Sequence, residues 1–154
     1  MEIKLIEGDL LTSKADIIVH QCNGKGIMGS GVAKQIKDKW PEVYQKYRKD
    51  ILNEIINLGD TQLVTIENNR FIANMIAEAT FGYDGKRYTN YEAFYNCLER
   101  LKERAIANNK TSIAFPYNIG CCRGGANWNI IKTMIEEVFK DSNFTIEIWK
   151  FNKD

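Results

Sequence analysis

The sequence predicts an α/β sandwich with a mixed sheet, and three observations carry that expectation. Short apolar runs of strand length alternate with segments whose apolar residues recur every three or four positions. Two strand-like runs, Gln62 to Ile66 and Arg70 to Met75, flank Glu67-Asn68-Asn69 as a hairpin, which makes the sheet mixed rather than wholly parallel. Glycines gather in two places, each between a strand and a helix.

In chain order, the first strand is expected over Ile3 to Glu7, ended by Gly8-Asp9, and the second at Ile17-Ile18-Val19, with Thr12 to Lys14 turning the chain between them. Val32, Ala33 and Ile36 share one face of a short helix that Pro41 interrupts, and a second helical region runs from Val43 to Ile56 before Gly59. After the hairpin, Tyr91, Phe94, Tyr95, Leu98, Leu101 and Ala105 form the apolar stripe of a longer helix ending near Asn108-Asn109. Ser112 to Phe115 is a short buried strand. Ile130, Ile131, Met134, Ile135, Val138 and Phe139 mark another helix, and Phe144 to Trp149 alternates as the last strand. No repeat, low-complexity tract or linker interrupts the chain, so residues 1–154 are expected to form one domain.

Composition narrows the function. With 21 Lys+Arg against 20 Asp+Glu the net charge is +1, which excludes a broad basic face for unspecific gripping of a nucleic-acid backbone or an anionic membrane. Cys22, Cys97, Cys121 and Cys122 include no C-x-x-C pair and share the chain with one histidine, so no metal is expected and the thiols read as reduced. No signal-peptide core and no membrane-length apolar run occur, and the protein is expected to be a cytoplasmic monomer needing no cofactor.

An anionic ligand must then be held by something other than net charge. Seven of the 11 glycines, Gly24, Gly26, Gly29, Gly31, Gly120, Gly124 and Gly125, lie in the two strand-to-helix loops. There, successive main-chain N–H groups can converge on phosphate oxygens. Gly24 to Gly29 formally matches the dinucleotide fingerprint G-x-G-x-x-G, yet a short helix running into Trp40-Pro41 is the wrong context for it. The triphosphatase loop G-x-x-x-x-G-K-[ST] does not occur.

The motifs Gly8-Asp9-Leu10, His20-Gln21-Cys22-Asn23 leading to Gly29-Ser30-Gly31-Val32-Ala33, and Pro116-Tyr117-Asn118-Ile119-Gly120-Cys121 with Asn127-Trp128 run in order over nearly the whole chain. Together they resemble a macro domain, in the branch of yeast-type ADP-ribose 1″-phosphate phosphatases, the human terminal ADP-ribose protein glycohydrolase and related bacterial and phage proteins. The resemblance implies a three-layer α/β/α sandwich that binds ADP-ribose, free or attached to another molecule, and hydrolyses its derivatives. A non-catalytic ADP-ribose reader is the alternative.

By matching position, Asp9 would accept from the adenine amino group with the Leu10 backbone beside it. Gly29, Ser30, Gly31, Val32 and Ala33 would donate to the diphosphate. Asn118, Ile119, Gly120, Cys121, Cys122, Arg123 and Gly124 would close over the phosphates and distal ribose, and Asn23 would face that ribose.

His20 is either a satisfied core histidine or, with a pKa near neutrality, a general base beside the distal ribose; the resemblance favours the second. Glycohydrolase-type relatives use a lysine after the hairpin and an aspartate in the second glycine loop. Here the first segment reads Ile76-Ala77-Glu78-Ala79, and Asn118 to Trp128 contains no carboxylate. Asp84, with Lys86 and Arg87, lies in a glycine-containing loop that is either a surface turn or a cover for the distal ribose, which makes Asp84 the second catalytic candidate. Cys121 and Cys122 at a helix entrance read as packing residues rather than nucleophiles.

Overall fold

The computed structural model describes residues 1–151; the last three positions of the expected domain, 152–154, lie outside the described residues. Six strands form one sheet: β1 (Glu2–Glu7), β2 (Ile17–Asn23), β3 (Thr61–Ile66), β4 (Arg70–Glu78), β5 (Ser112–Pro116) and β6 (Thr145–Lys150). Their spatial order is β1-β6-β5-β2-β4-β3. Every neighbouring pair is parallel except the β3–β4 hairpin, so the sheet is mixed as the sequence predicts.

Among the described residues, four α-helices cover the sheet. Helices α1 (Gly31–Lys39) and α2 (Pro41–Leu52) pack on one face, burying Ile36, Trp40, Val43 and Tyr47 against Ile18, Ile72 and Ile76. Helices α3 (Tyr91–Ala107) and α4 (Trp128–Phe139) cover the other, with Phe94, Leu98, Leu101, Ile131, Ile135 and Phe139 packed on Ile17, Val19, Met75 and Phe115. This is the expected α/β/α sandwich. Each helix on the second face is opened by an asparagine cap: Asn90 accepts from Ala93 N and Asn127 from Asn129 N. No helix among the described residues is long and apolar enough to cross a membrane.

Four elements differ from the sequence expectation, and the first is β4, which runs past Met75 to Glu78 because Ile76 and Glu78 still pair with β2. Strand β2 continues past Val19 to Asn23, because the polar run His20 to Asn23 stays in the ladder beside β4. His20 therefore sits within the strand rather than at its end. Helix α2 stops at Leu52 instead of Ile56: Asn53 caps it and Glu54 takes a left-handed φ of 57°, which a continuing helix does not allow. In α4, Ile130 is 44% exposed and lies outside the apolar stripe.

Candidate functional site

The carboxyl ends of β2, β4 and β5 open onto one cavity of about 350 Å³. Gln21, Asn23 and Glu78 reach it from the strands, Gly29 to Ala33 from the first glycine loop, and Asn118 to Gly120 with Cys122 to Gly124 from the second. Phe81 to Tyr83 line it from the β4–α3 connection. That position, where strand ends meet helix N-termini, is where open α/β sheets bind ligands.

The first loop is shaped by Asn23. Its Oδ1 accepts from Lys25 N at 3.0 Å and Ile27 N at 3.4 Å, while its Nδ2 donates to Ile27 O at 2.8 Å. The buried Tyr47 hydroxyl lies 2.5 Å from Asn23 O and 3.0 Å from Oδ1. The loop then enters α1 at Gly31 in a left-handed conformation, φ 61°, and Ser30 makes no side-chain cap bond. The first amides of α1 thus have no intrahelical acceptor, and their residues border the cavity. This also explains why Val32 and Ala33 are only partly buried although they share the apolar face with Ile36.

In the second loop, Thr89 and two glycines interlock. Thr89 Oγ1 accepts from Gln21 Nε2 and donates to Gly120 O, both at 2.8 Å. A side chain at Gly124 would collide with Thr89 Oγ1 and Gly120 O, so glycine is required there by close approach. Across the cavity mouth, Arg123 donates to Ser30 Oγ and, at 3.1 Å, to Tyr83 Oη, with its guanidinium carbon 4.5 Å from the Tyr83 ring centre. One side chain therefore ties together the three segments that line the cavity.

His20 has an unusual environment. Its Nε2 lies 2.5 Å from Asn74 Oδ1; Asn74 Nδ2 donates to Gln62 Oε1 at 3.0 Å, and Gln62 Nε2 donates to Asp50 Oδ2 at 2.7 Å. Asp50 in turn pairs with Lys46 at 3.2 Å. The acceptor-only carboxylate at the far end sets both amide orientations, so His20 must donate through Nε2 and keeps its lone pair on Nδ1. Burial pushes its pKa down to about 4, against the smaller upward pull of Asn74, so the imidazole is neutral rather than poised near neutrality as the sequence suggests.

The structure gathers His20, Asn23, Gly29 to Ala33, Asn118 to Gly120, Cys122, Arg123 and Gly124 around the one cavity. Asp9, Leu10, Cys121 and Asp84 are not on its wall. Asp9 Oδ1 accepts from Leu11 N at 3.0 Å, capping a short 3-10 turn in which Leu10 is buried. The Cys121 thiol is half-buried against Ile119 O, and burial pushes it up to about 11. Asp84 is exposed and accepts from Tyr88 Oη at 2.8 Å and Lys86 N at 3.1 Å, bonds that hold its carboxyl below the usual range. Missing from the sequence expectation are Gln21, Glu78 and Tyr83. An acid directly after the apolar run Met75-Ile76-Ala77 was the available signal for Glu78.

Fold and site together define an α/β/α domain with an amide-lined cleft at the carboxyl edge of a mixed six-stranded sheet. The chain belongs to the macro domain family, whose profile, described as Macro domain, matches residues 19–135. It is 26% identical over 148 residues to human ADP-ribose glycohydrolase OARD1, spanning 96% of this chain and 90% of that one. To the DNA ADP-ribosyl glycohydrolase of Thermus aquaticus it is 25% identical over 152 residues, covering 97% of this chain but 41% of that longer protein. A solved structure from Bacteroides thetaiotaomicron, described as a protein of unknown function, superposes with a TM-score of 0.88 at 28% identity, over 97% of this chain and 98% of that one.

Proposed function

We propose that this protein binds ADP-ribose in the cavity and hydrolyses ADP-ribose derivatives, either the 1″-phosphate or an ADP-ribosyl adduct on protein or nucleic acid. The observation that carries this reading is one cavity bordered by the open start of α1, the second glycine loop and Arg123. Main-chain amides of Gly29 to Ala33 hold the diphosphate, with the second loop closing from the other side. Asp9 and the Leu10 backbone take the adenine. The names of the human and Thermus relatives point to the same chemistry. Recognition runs through the ADP-ribose group rather than a nucleic-acid backbone, in a cytoplasmic monomer.

Calorimetry with ADP-ribose tests the binding half, and an absence of saturable binding at high micromolar ligand overturns it. Turnover is read by incubation with ADP-ribose 1″-phosphate and, separately, with ADP-ribosylated protein and DNA. His20→Ala and Asp84→Ala variants examine the two proposed catalytic positions; unchanged rates in both refute those roles. A non-catalytic reader is the second reading, favoured by His20 being buried with its Nε2 tied to Asn74 and by Asp84 standing in solvent. Binding with no product from any of the three substrates decides for it.

A further inference from the structure

One polar atom beside the cavity lacks a partner. Gln21 donates one of its two Nε2 protons to Thr89, which passes its own to Gly120 O, and Gln21 Oε1 is buried with no donor among the described residues. A Cβ at Gly120 would come within 2.7 Å of that oxygen, so the second glycine loop closes tightly around it. A buried acceptor of this kind calls for an O–H or N–H.

The carboxyl group at hand is Glu78. It ends β4, where an irregularity in the β2–β4 pairing sets it opposite Asn23, and a lone bridge joins it to Thr89 on its other side. Gln21, Asn23 and Thr89 thus surround it from β2 and from the connection to α3. Glu78 is the one carboxylate among the residues lining the cavity, and it forms no ion pair among the described residues. Burial pushes its carboxyl up to about 7, with the Gln21 side chain acting in the opposite sense. The other titratable groups on the wall are His20 and Cys22 from β2, Tyr83 from the β4–α3 connection, and Tyr117, Cys122 and Arg123 from the second loop. The single cation among them, Arg123, is engaged by Ser30 and Tyr83.

We propose that Glu78 is the proton donor of the cavity: as a neutral acid it hydrogen-bonds the orphan Gln21 oxygen, and with substrate bound it protonates the leaving group at the anomeric carbon of the distal ribose. This rests on the function proposed above. In the step, the bond from the anomeric carbon to the leaving atom breaks with its electron pair going to that atom, which takes the Glu78 proton. A water oxygen bonds the anomeric carbon, and the proton it sheds returns through solvent to the Glu78 carboxylate. A diphosphate in the same cavity disfavours ionised Glu78, so ligand binding draws a proton in.

The test is titration of the full protein with ADP-ribose at pH 7.5 in two buffers of different ionisation enthalpy. The parent is expected to take up roughly half a proton per ligand bound. Glu78→Gln binds without uptake, and Glu78→Asp, which keeps an acid, retains it. In turnover assays, kcat/KM of the parent declines as pH rises through about 7. In Glu78→Gln, kcat at pH 6.5 falls roughly a hundredfold and that decline is absent. Binding without uptake in the parent, uptake that persists in Glu78→Gln, or parental turnover by Glu78→Gln overturns the proposal. Glu78-dependent uptake with no turnover of any substrate overturns the donor role as well. If the parent shows no saturable ADP-ribose binding, the proposed function itself fails, which is a distinct result.

Discussion

The two faces of the sheet are built on different principles. Under α3 and α4 the core is almost wholly apolar, from Phe94 and Leu101 through Phe115 to Phe139, with Phe139 making edge contacts to Phe115 and Phe144. Under α1 and α2 a polar row crosses the apolar layer: His20, Asn74 and Gln62 stand side by side on three neighbouring strands and end on Asp50 of α2. The first face gains stability by excluding water and tolerates any packing of similar volume. The second gains little net energy from its bonds, but a shift of register by one residue would orphan every member of the row. One face supplies stability, the other fixes strand alignment and a single histidine tautomer beside the cavity.

Substitutions should separate these roles. The largest effect is expected on the apolar face, where Phe94→Ala removes a fully buried ring and costs about 4 kcal/mol in chemical denaturation. A loss below 1 kcal/mol would mean that this face is not the main store of stability.

Next comes pH. His20 binds a proton near 6.5 when unfolded but near 4 when folded, so the unfolded state is the better proton acceptor between those values. Its contribution is fully present above pH 6.5 and is lost as pH falls toward 4, by about 3 kcal/mol. The raised Glu78 carboxyl works in the opposite direction over nearly the same range, so denaturation midpoints from pH 7 to 4 are measured in the Glu78→Gln variant, where a flat profile would show that His20 is not buried in neutral form.

Smallest of the three is Asn74→Leu, which fits the apolar surroundings yet strands the His20 donor and the Gln62 acceptor, for a net loss of about 2 kcal/mol. Here a neutral or stabilising outcome would show that the polar row is dispensable. Restored stability in a variant that also replaces Gln62 and His20 with apolar residues would confirm that the cost lies in unpaired groups.

The same contrast explains what was legible in the sequence. On the apolar face, periodicity alone marks α3, α4 and β5, because nothing but burial decides which residues point inward. On the other face, the polar run His20-Gln21-Cys22-Asn23 follows the apolar Ile17-Ile18-Val19, and its place in the strand depends on the ladder it forms with Asn74 to Glu78 of β4. No local pattern records partners so far along the chain. The glycine loops are readable as candidate walls of a site, since glycine spacing is a local property. The Arg123 bridge to Ser30 and Tyr83 depends on three loops meeting, and the cavity position of Glu78 depends on how β4 pairs with β2. Asp84 illustrates the converse: the sequence leaves its loop as either a surface turn or a cover for the distal ribose, and its carboxylate is engaged by Tyr88 and Lys86.

The sheet order has a temporal consequence. Among the described residues strand β1 has a single neighbour, β6, with Glu2 opposite Thr145 and Glu7 opposite Lys150. On a ribosome adding about 5–20 residues per second, β1 emerges roughly 7–30 s before its partner exists. Until then its edge, carrying the exposed Ile3 and Leu5, waits without its ladder. The hairpin β3–β4 and strand β2 can already be paired by that time, so the nascent chain builds its sheet from one margin and seals the opposite margin last. The interval is long enough for a chaperone to meet that edge, and its length is set by the order of the strands rather than by the strength of any contact.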